Sequence, residues 1–186
     1  MKHLFLGLLA AIGVSSIASA APSGAGIIAP IHQFIDNFNK GDQKAAAAAF
    51  ASGGLAIIDE VPPHIWTGSD ALQTWANDLG ANDKGQGISS EKVTLGKATR
   101  VIESGDHGYV VIPAVYTYKQ HKAAMREPAQ MTFALQKSGD AWLISGFTWV
   151  GTKPQAATPK PATPAAAPAP AAAPAPAKTP APPKTK

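Results

Sequence analysis

The chain contains no cysteine among its 186 residues. Disulfides, thiol nucleophiles, cysteine-ligated metals and a lipoprotein attachment site are therefore excluded. Long hydrophobic runs are equally scarce. The one that stands out, Leu4 to about Ile17, is too short to cross a bilayer comfortably. It follows Lys2 and His3 and precedes Ala18-Ser19-Ala20, an A-x-A pattern. A basic start, a short apolar run and small residues at the exit describe a secretory signal peptide over residues 1–20, cleaved after Ala20. The alternative, an uncleaved anchor, is weakened by Gly7, Gly13, Ser15 and Ser16. The expected product is exported, periplasmic or secreted.

The other end lacks large side chains. From Pro154 to Lys186 there is no aromatic residue and no aliphatic one larger than alanine, and AAAPAP occurs twice in succession from Ala165. Such a segment has no apolar surface to offset its ordering entropy, so residues 153–186 are expected to be a disordered Pro/Ala/Lys-rich tail biased to polyproline II. At about 3.1 Å per residue it could span on the order of 100 Å. Charge divides at the same place. Residues 21–152 hold ten Lys/Arg against twelve Asp/Glu, a net of −2, whereas Lys153, Lys160, Lys178, Lys184 and Lys186 make the tail +5. The tail is either a contact for anionic cell envelope or a solvated extension. Export and an acidic core argue against nucleic acid as a partner.

The 21–152 core is long enough for one domain. Ile27, Ile28, Ile31, Phe34, Ile35 and Phe38 recur at helical spacing. Asn39-Lys40-Gly41-Asp42 then supplies a stop and a new N-cap for a short alanine-rich helix ending at Ser52-Gly53-Gly54. Leu55 to Val61 reads as a strand bounded by Pro62-Pro63. Ser69 or Asp70 caps a third helix with Leu72, Trp75, Ala76 and Leu79 on one face. After Gly87 the period becomes two, in four runs broken at Gly105-Asp106, at the polar Gln120 to Pro128 stretch and at Ser138-Gly139-Asp140. Pro113, inside the second run, predicts a bulge or an edge. Three helices followed by an antiparallel meander predict an α+β fold with helices against one face of a curved sheet.

This order of elements, the P-x-x-W-x-G-x-x-A-L element from Pro63 to Leu72, and the G-D-x-W-x-I strand from Gly139 leading to Phe147 and Trp149 resemble the nuclear-transport-factor-2-like superfamily, and within it secreted bacterial SnoaL-like proteins. The resemblance covers Ala29 to Gly151. It implies a cone-shaped barrel of curved antiparallel sheet packed on three N-terminal helices, with an apolar cavity, frequently in a dimer. The family's ketosteroid isomerases pair an Asp base with a Tyr from the first helix and a protonated Asp. Here that helix offers Phe34 and Phe38 and no tyrosine.

Two functional readings remain. The first is a binding or interaction module holding a small apolar ligand, lined by Phe34, Phe38, Trp66, Tyr116 and Trp149, of which the indoles and the phenol combine apolar area with one hydrogen-bonding group. The second is a small lyase, isomerase or hydrolase in which Asp59 and His64, either side of the Pro-Pro corner, form an acid–base pair. Strand alternation sets a bland reading against the second, since it would turn either Asp59 or its neighbour Glu60 to solvent. Five histidines without ligand spacing predict no metal, and no cofactor is expected.

Overall fold

A computed structural model describes residues 26–157. The expected signal peptide and the tail from residue 158 onward lie outside the described residues. Helix α1 (Ala29–Phe38) starts on a proline in its first turn, where the missing N–H costs nothing, and buries Pro30, Ile31, Phe34 and Ile35. Asp42 caps α2 (Gln43–Ala47) by accepting from the Ala45 N–H at 3.0 Å. Helix α3 (Ala71–Gln86) runs a turn beyond the apolar stripe and ends at Gly87, whose left-handed φ of 65° closes the cap. A side chain at Gly87 would also meet the His121 ring at 2.6 Å.

Eight strands form one sheet: β1 (Leu55–Ile58), β2 (Ile65–Gly68), β3 (Ile88–Leu95), β4 (Arg100–Ser104), β5 (His107–Gln120), β6 (Ala123–Ser138), β7 (Ala141–Gly151) and β8 (Gln155–Ala156). Their order is β2-β1-β7-β6-β5-β3, with β4 pairing β5 and β8 pairing β6. The α+β class stands, in the cone-like form of helices against a curved sheet. Two details depart from the expected antiparallel barrel. The sheet is open, and it is mixed, because β1 runs parallel to β7. The reason lies just upstream: Phe50 already bridges Ile144 in parallel, and Ala51 donates to the Ile144 carbonyl at 2.9 Å, so the chain enters β1 alongside β7.

The run from Ile88 to Ser104 is two strands rather than one. Both pair with β5, and the break between them faces Pro113. Gly96 and Thr99 donate to the carbonyls of Pro113 and Val111, so no hydrogen bond is asked of the proline nitrogen. Pro113 itself keeps regular register with Gln130 of β6. The irregularity falls on the neighbouring strand. The polar stretch from Gln120 is a tight hairpin at His121 and Lys122, both at positive φ, after which β6 runs straight through Pro128. Residues 153–157, counted with the tail on composition, include β8, which pairs Met125 and Arg126 beyond the end of β7.

The core lies between the helices and the concave sheet face, with Ile31, Phe133, Ile144, Ile57 and Val110 fully buried. Gly146 permits the parallel pair, since a Cβ there would stand 2.6 Å from the Ala56 carbonyl oxygen. Gly146→Ala should therefore lower the urea unfolding free energy by about 1–3 kcal/mol, the usual range for overpacking against backbone that cannot swing away. An unchanged midpoint would mean that β1 is not held this close to β7.

Candidate functional site

A cavity of about 480 Å³ opens between α1, α3 and the concave face of the sheet. Phe34 and Phe38 of α1, Trp75, Leu79 and Asp83 of α3, Tyr116 and Tyr118 of β5, Glu127 and Met131 of β6, and Phe147 and Trp149 of β7 form its walls. The segment from Asp59 to Pro62 and, past β7, Pro154 complete its lining. Period-two alternation builds the sheet wall. Tyr116 and Tyr118 point inward two residues apart with ring centroids 4.7 Å apart, in phase with the buried Ala114, Ile112 and Val110.

The carboxyl groups set the cavity's character. Asp59, Glu60, Asp83 and Glu127 all line it, and among the described residues no lysine, arginine or histidine does. Glu127 is 1 % exposed, Asp83 7 % and Asp59 9 %. Glu60 is more open to solvent, yet its carboxylate turns back toward Glu127 over Gly151, where a Cβ would overlap Glu127 Oε1 and approach Glu60 Oε2 to 2.8 Å. Glycine at 151 is what leaves room for the two acids. Indole N–H groups hold two of the carboxylates from the cavity wall: Trp149 Nε1 donates to Glu127 Oε1 at 3.2 Å, and Trp75 Nε1 donates to Asp59 Oδ2 at 3.0 Å.

Burial and neighbouring acids favour the neutral form of Glu60, Asp83 and Glu127. Loss of water pushes the Glu127 carboxyl up to about 7, the Glu60 charge adds to the rise, and the Trp149 N–H opposes it. Burial likewise pushes Asp83 up to about 7, with Glu91 of β3 contributing next. Glu60 is raised by burial and then by Asp59. The Tyr116 hydroxyl is raised by burial and by the Asp83 and Glu91 carboxylates. It is the one buried side-chain polar atom among the described residues without a hydrogen-bond partner.

The residues singled out from sequence are distributed unevenly around this cavity. Phe34, Phe38, Tyr116 and Trp149 line it. Trp66 does not: it sits on β2, 4 % exposed in the hydrophobic core, with its N–H donated to Asp78 Oδ2 of α3 at 2.8 Å. Asp59 faces the cavity, but its carboxylate is engaged by Trp75 and by the Val61 N–H at 3.3 Å. His64 is exposed, at positive φ, and its Nδ1 reaches only the Asp59 backbone oxygen at 3.3 Å. Asp59 and His64 therefore do not form an acid–base pair through the carboxylate. Glu60 is not turned away from Asp59 either, because β1 ends at Ile58 and alternation no longer governs the next two residues.

Asp83 and Glu127 were not singled out, although a signal existed for each. Asp83 continues the α3 stripe of Leu72, Ala76 and Leu79 by one turn. Glu127 is in phase with Met131, Phe133 and Leu135, a periodicity that only has to be carried back across Pro128. Among the described residues no cluster of three His, Asp or Glu side chains could hold a metal ion.

No protein-family model matches the chain, and no curated protein does. Solved structures do share its fold. A nuclear-transport-factor-2-like superfamily protein from Salmonella enterica serovar Typhimurium matches with a TM-score of 0.56 at 13 % identity, over 74 % of this chain and 93 % of that one. A ketosteroid isomerase-like protein from Erwinia carotovora atroseptica matches at 0.52 and 17 %, over 67 % and 92 %. A scytalone dehydratase candidate from Novosphingobium aromaticivorans matches at 0.56 and 12 %, over 72 % and 87 %.

Proposed function

From the nuclear-transport-factor-2-like fold of this chain, we propose that the protein is a small-ligand-binding module that is exported and that holds its ligand in the cavity between α1, α3 and the sheet. The observation that carries this reading is the cavity itself. Its volume of about 480 Å³ is in the range of small-molecule sites, and its walls combine seven aromatic rings with aliphatic side chains and convergent polar groups. Beyond the module, we place the protein as a homodimer in the periplasm or outside the cell, its cationic tail against anionic envelope. Acid–base chemistry is the second reading. It is favoured by Asp83 and Glu127, each near 7, which could exchange a proton at neutral pH and replace Asp59 and His64 as the carriers. Binding is preferred because the cavity alone carries it, whereas the second reading also needs a substrate proton placed against one of these two carboxyls.

A neutral ring compound tests the binding reading. Trp75 and Trp149 line the cavity whereas Trp66 and Trp142 do not, so 1-naphthalenemethanol should change the fluorescence of a Trp66→Phe/Trp142→Phe variant saturably. The dissociation constant expected for so small a probe is about 1 mM or tighter. Val93→Phe, which adds volume at a buried lining position, should weaken it at least tenfold. A linear, unsaturable response that Val93→Phe leaves unchanged would sink the reading.

A further inference from the structure

The expected occupant of an aromatic cavity is a neutral apolar molecule, and four inward carboxyl groups make this cavity a poor host for one. Filling it with a neutral body would strip water from Asp59, Glu60, Asp83 and Glu127 and give them no counter-charge in return. Among the described residues no lysine, arginine or histidine lines the cavity to supply that charge from within. The arrangement of the acids among the rings is specific. Trp149 holds Glu127, Trp75 holds Asp59, and Tyr116 stands with its hydroxyl under the influence of Asp83. Each of these rings lines the same cavity as the carboxylate beside it.

A cavity walled by both carboxyl groups and aromatic rings suits a cation, because ring quadrupoles and negative oxygens attract the same charge. We infer that the cavity's ligand is an organic cation, an ammonium or comparable centre carried on an apolar or aromatic body, with the cationic centre among Asp59, Glu60, Asp83 and Glu127 and the body against Phe34, Phe147 and Met131. The inference rests on the binding reading above and narrows its ligand class. It also explains why the acids persist in a site that would be more stable without them: Glu60, Asp83 and Glu127, which burial pushes toward the neutral form, become partners when a cation enters. Anions are rejected by the same groups.

Proton release follows from the geometry. Glu127 is faced by Glu60 and Asp59 from the end of β1, by Tyr118 of β5 and by the Trp149 N–H of β7. Asp83 is faced by Glu91 of β3, Asp59, Tyr116 and Asn82. Every charged group in both sets is an acid. A bound cation therefore favours ionisation, and its affinity rises as the pH goes from about 5.5 to 8, through the value of about 7 to which burial and neighbouring acids raise Asp83 and Glu127.

The test is a calorimetric titration of the full chain at pH 8 with three probes of one shape: (1-naphthylmethyl)trimethylammonium, 1-naphthalenemethanol and 1-naphthylacetate. The cation should bind at least tenfold tighter than the alcohol, and the acetate should show no binding. Glu127→Gln and Asp83→Asn should each lower the cation-to-alcohol affinity ratio five- to tenfold, whereas Glu103→Gln, on the exposed strand β4, should leave it unchanged. At pH 5.5 the ratio should shrink. Equal binding of cation and alcohol, or tighter binding of the acetate, overturns the cation inference and leaves the binding module standing. If none of the three binds, both readings fall together.

Discussion

Glu127→Gln should make the protein more stable at pH 8, by on the order of 2–3 kcal/mol, and should change its stability little at pH 4. The wild-type carboxyl is 1 % exposed and raised to about 7 from an ordinary 4.5, first by burial and then by Glu60. An acid raised in the folded state keeps its proton there at pH values where the unfolded chain has released it. Stability is therefore fully present below about 4.5, falls as the pH rises toward 7, and levels off above that. Each unit of difference corresponds to about 1.4 kcal/mol, which gives the size of the effect. Glutamine keeps an oxygen to accept the Trp149 N–H and adds an amide that can donate to Glu60, and it carries no charge to desolvate. Urea unfolding at the two pH values measures the difference. A variant less stable than wild type at pH 8, or one stabilised equally at both, would show that Glu127 is not held protonated by its surroundings. The same experiment bears on function, since the stabilised variant is also expected to discriminate less between cation and alcohol.

The second large effect is structural. Phe147 is 3 % exposed and stands among Phe34 and Trp75 at 5.3 Å, Phe133 at 6.0 Å and Phe50 at 6.1 Å, so four rings from α1, α3, β6 and the segment after α2 meet on it. Phe147→Ala removes that common partner and should cost about 3–5 kcal/mol. For a domain of this size the melting temperature should fall by about 10–15 °C in calorimetry. Phe38, on the same cavity but only partly buried, has two ring neighbours, Phe34 and Trp75 at 6.2 Å. Phe38→Ala should cost about 1–2 kcal/mol, close to transfer alone. Equal losses from the two substitutions would mean that Phe147 is not the hub joining helices to sheet.

Much of the frame was legible because it depends on local pattern. The α1 stripe buries the residues its spacing selects, Asp42 caps the next helix, and Gly105 and Gly139 occupy left-handed turns at two of the expected strand breaks. Alternation on β5 placed Tyr116 and Tyr118 on one face. A break is expected over Gln120 to Pro128, but no glycine or asparagine marks its tight placement at His121 and Lys122, and so the first residues of β6, which carry Glu127, read as turn. Strand β2 escaped because its four residues only become a strand by pairing with β1.

The sequence by itself determined the three helices, the period-two region after Gly87, the inward face of β5 and the aromatic character of the interior, since these follow from periods of 3.6 and 2 read within one segment. Only the tertiary structure decided the chemistry of the cavity. Asp59 and Glu60 come from the end of β1, Asp83 from the last turns of α3 and Glu127 from β6, and no spacing along the chain relates them. They meet because β1 lies parallel to β7, because α3 packs over the sheet, and because Gly151 leaves the space in which two carboxyl groups can face each other. Their shared environment, and hence their charge, is a property of that packing, because burial and neighbouring acids set it and neither exists in the unfolded chain.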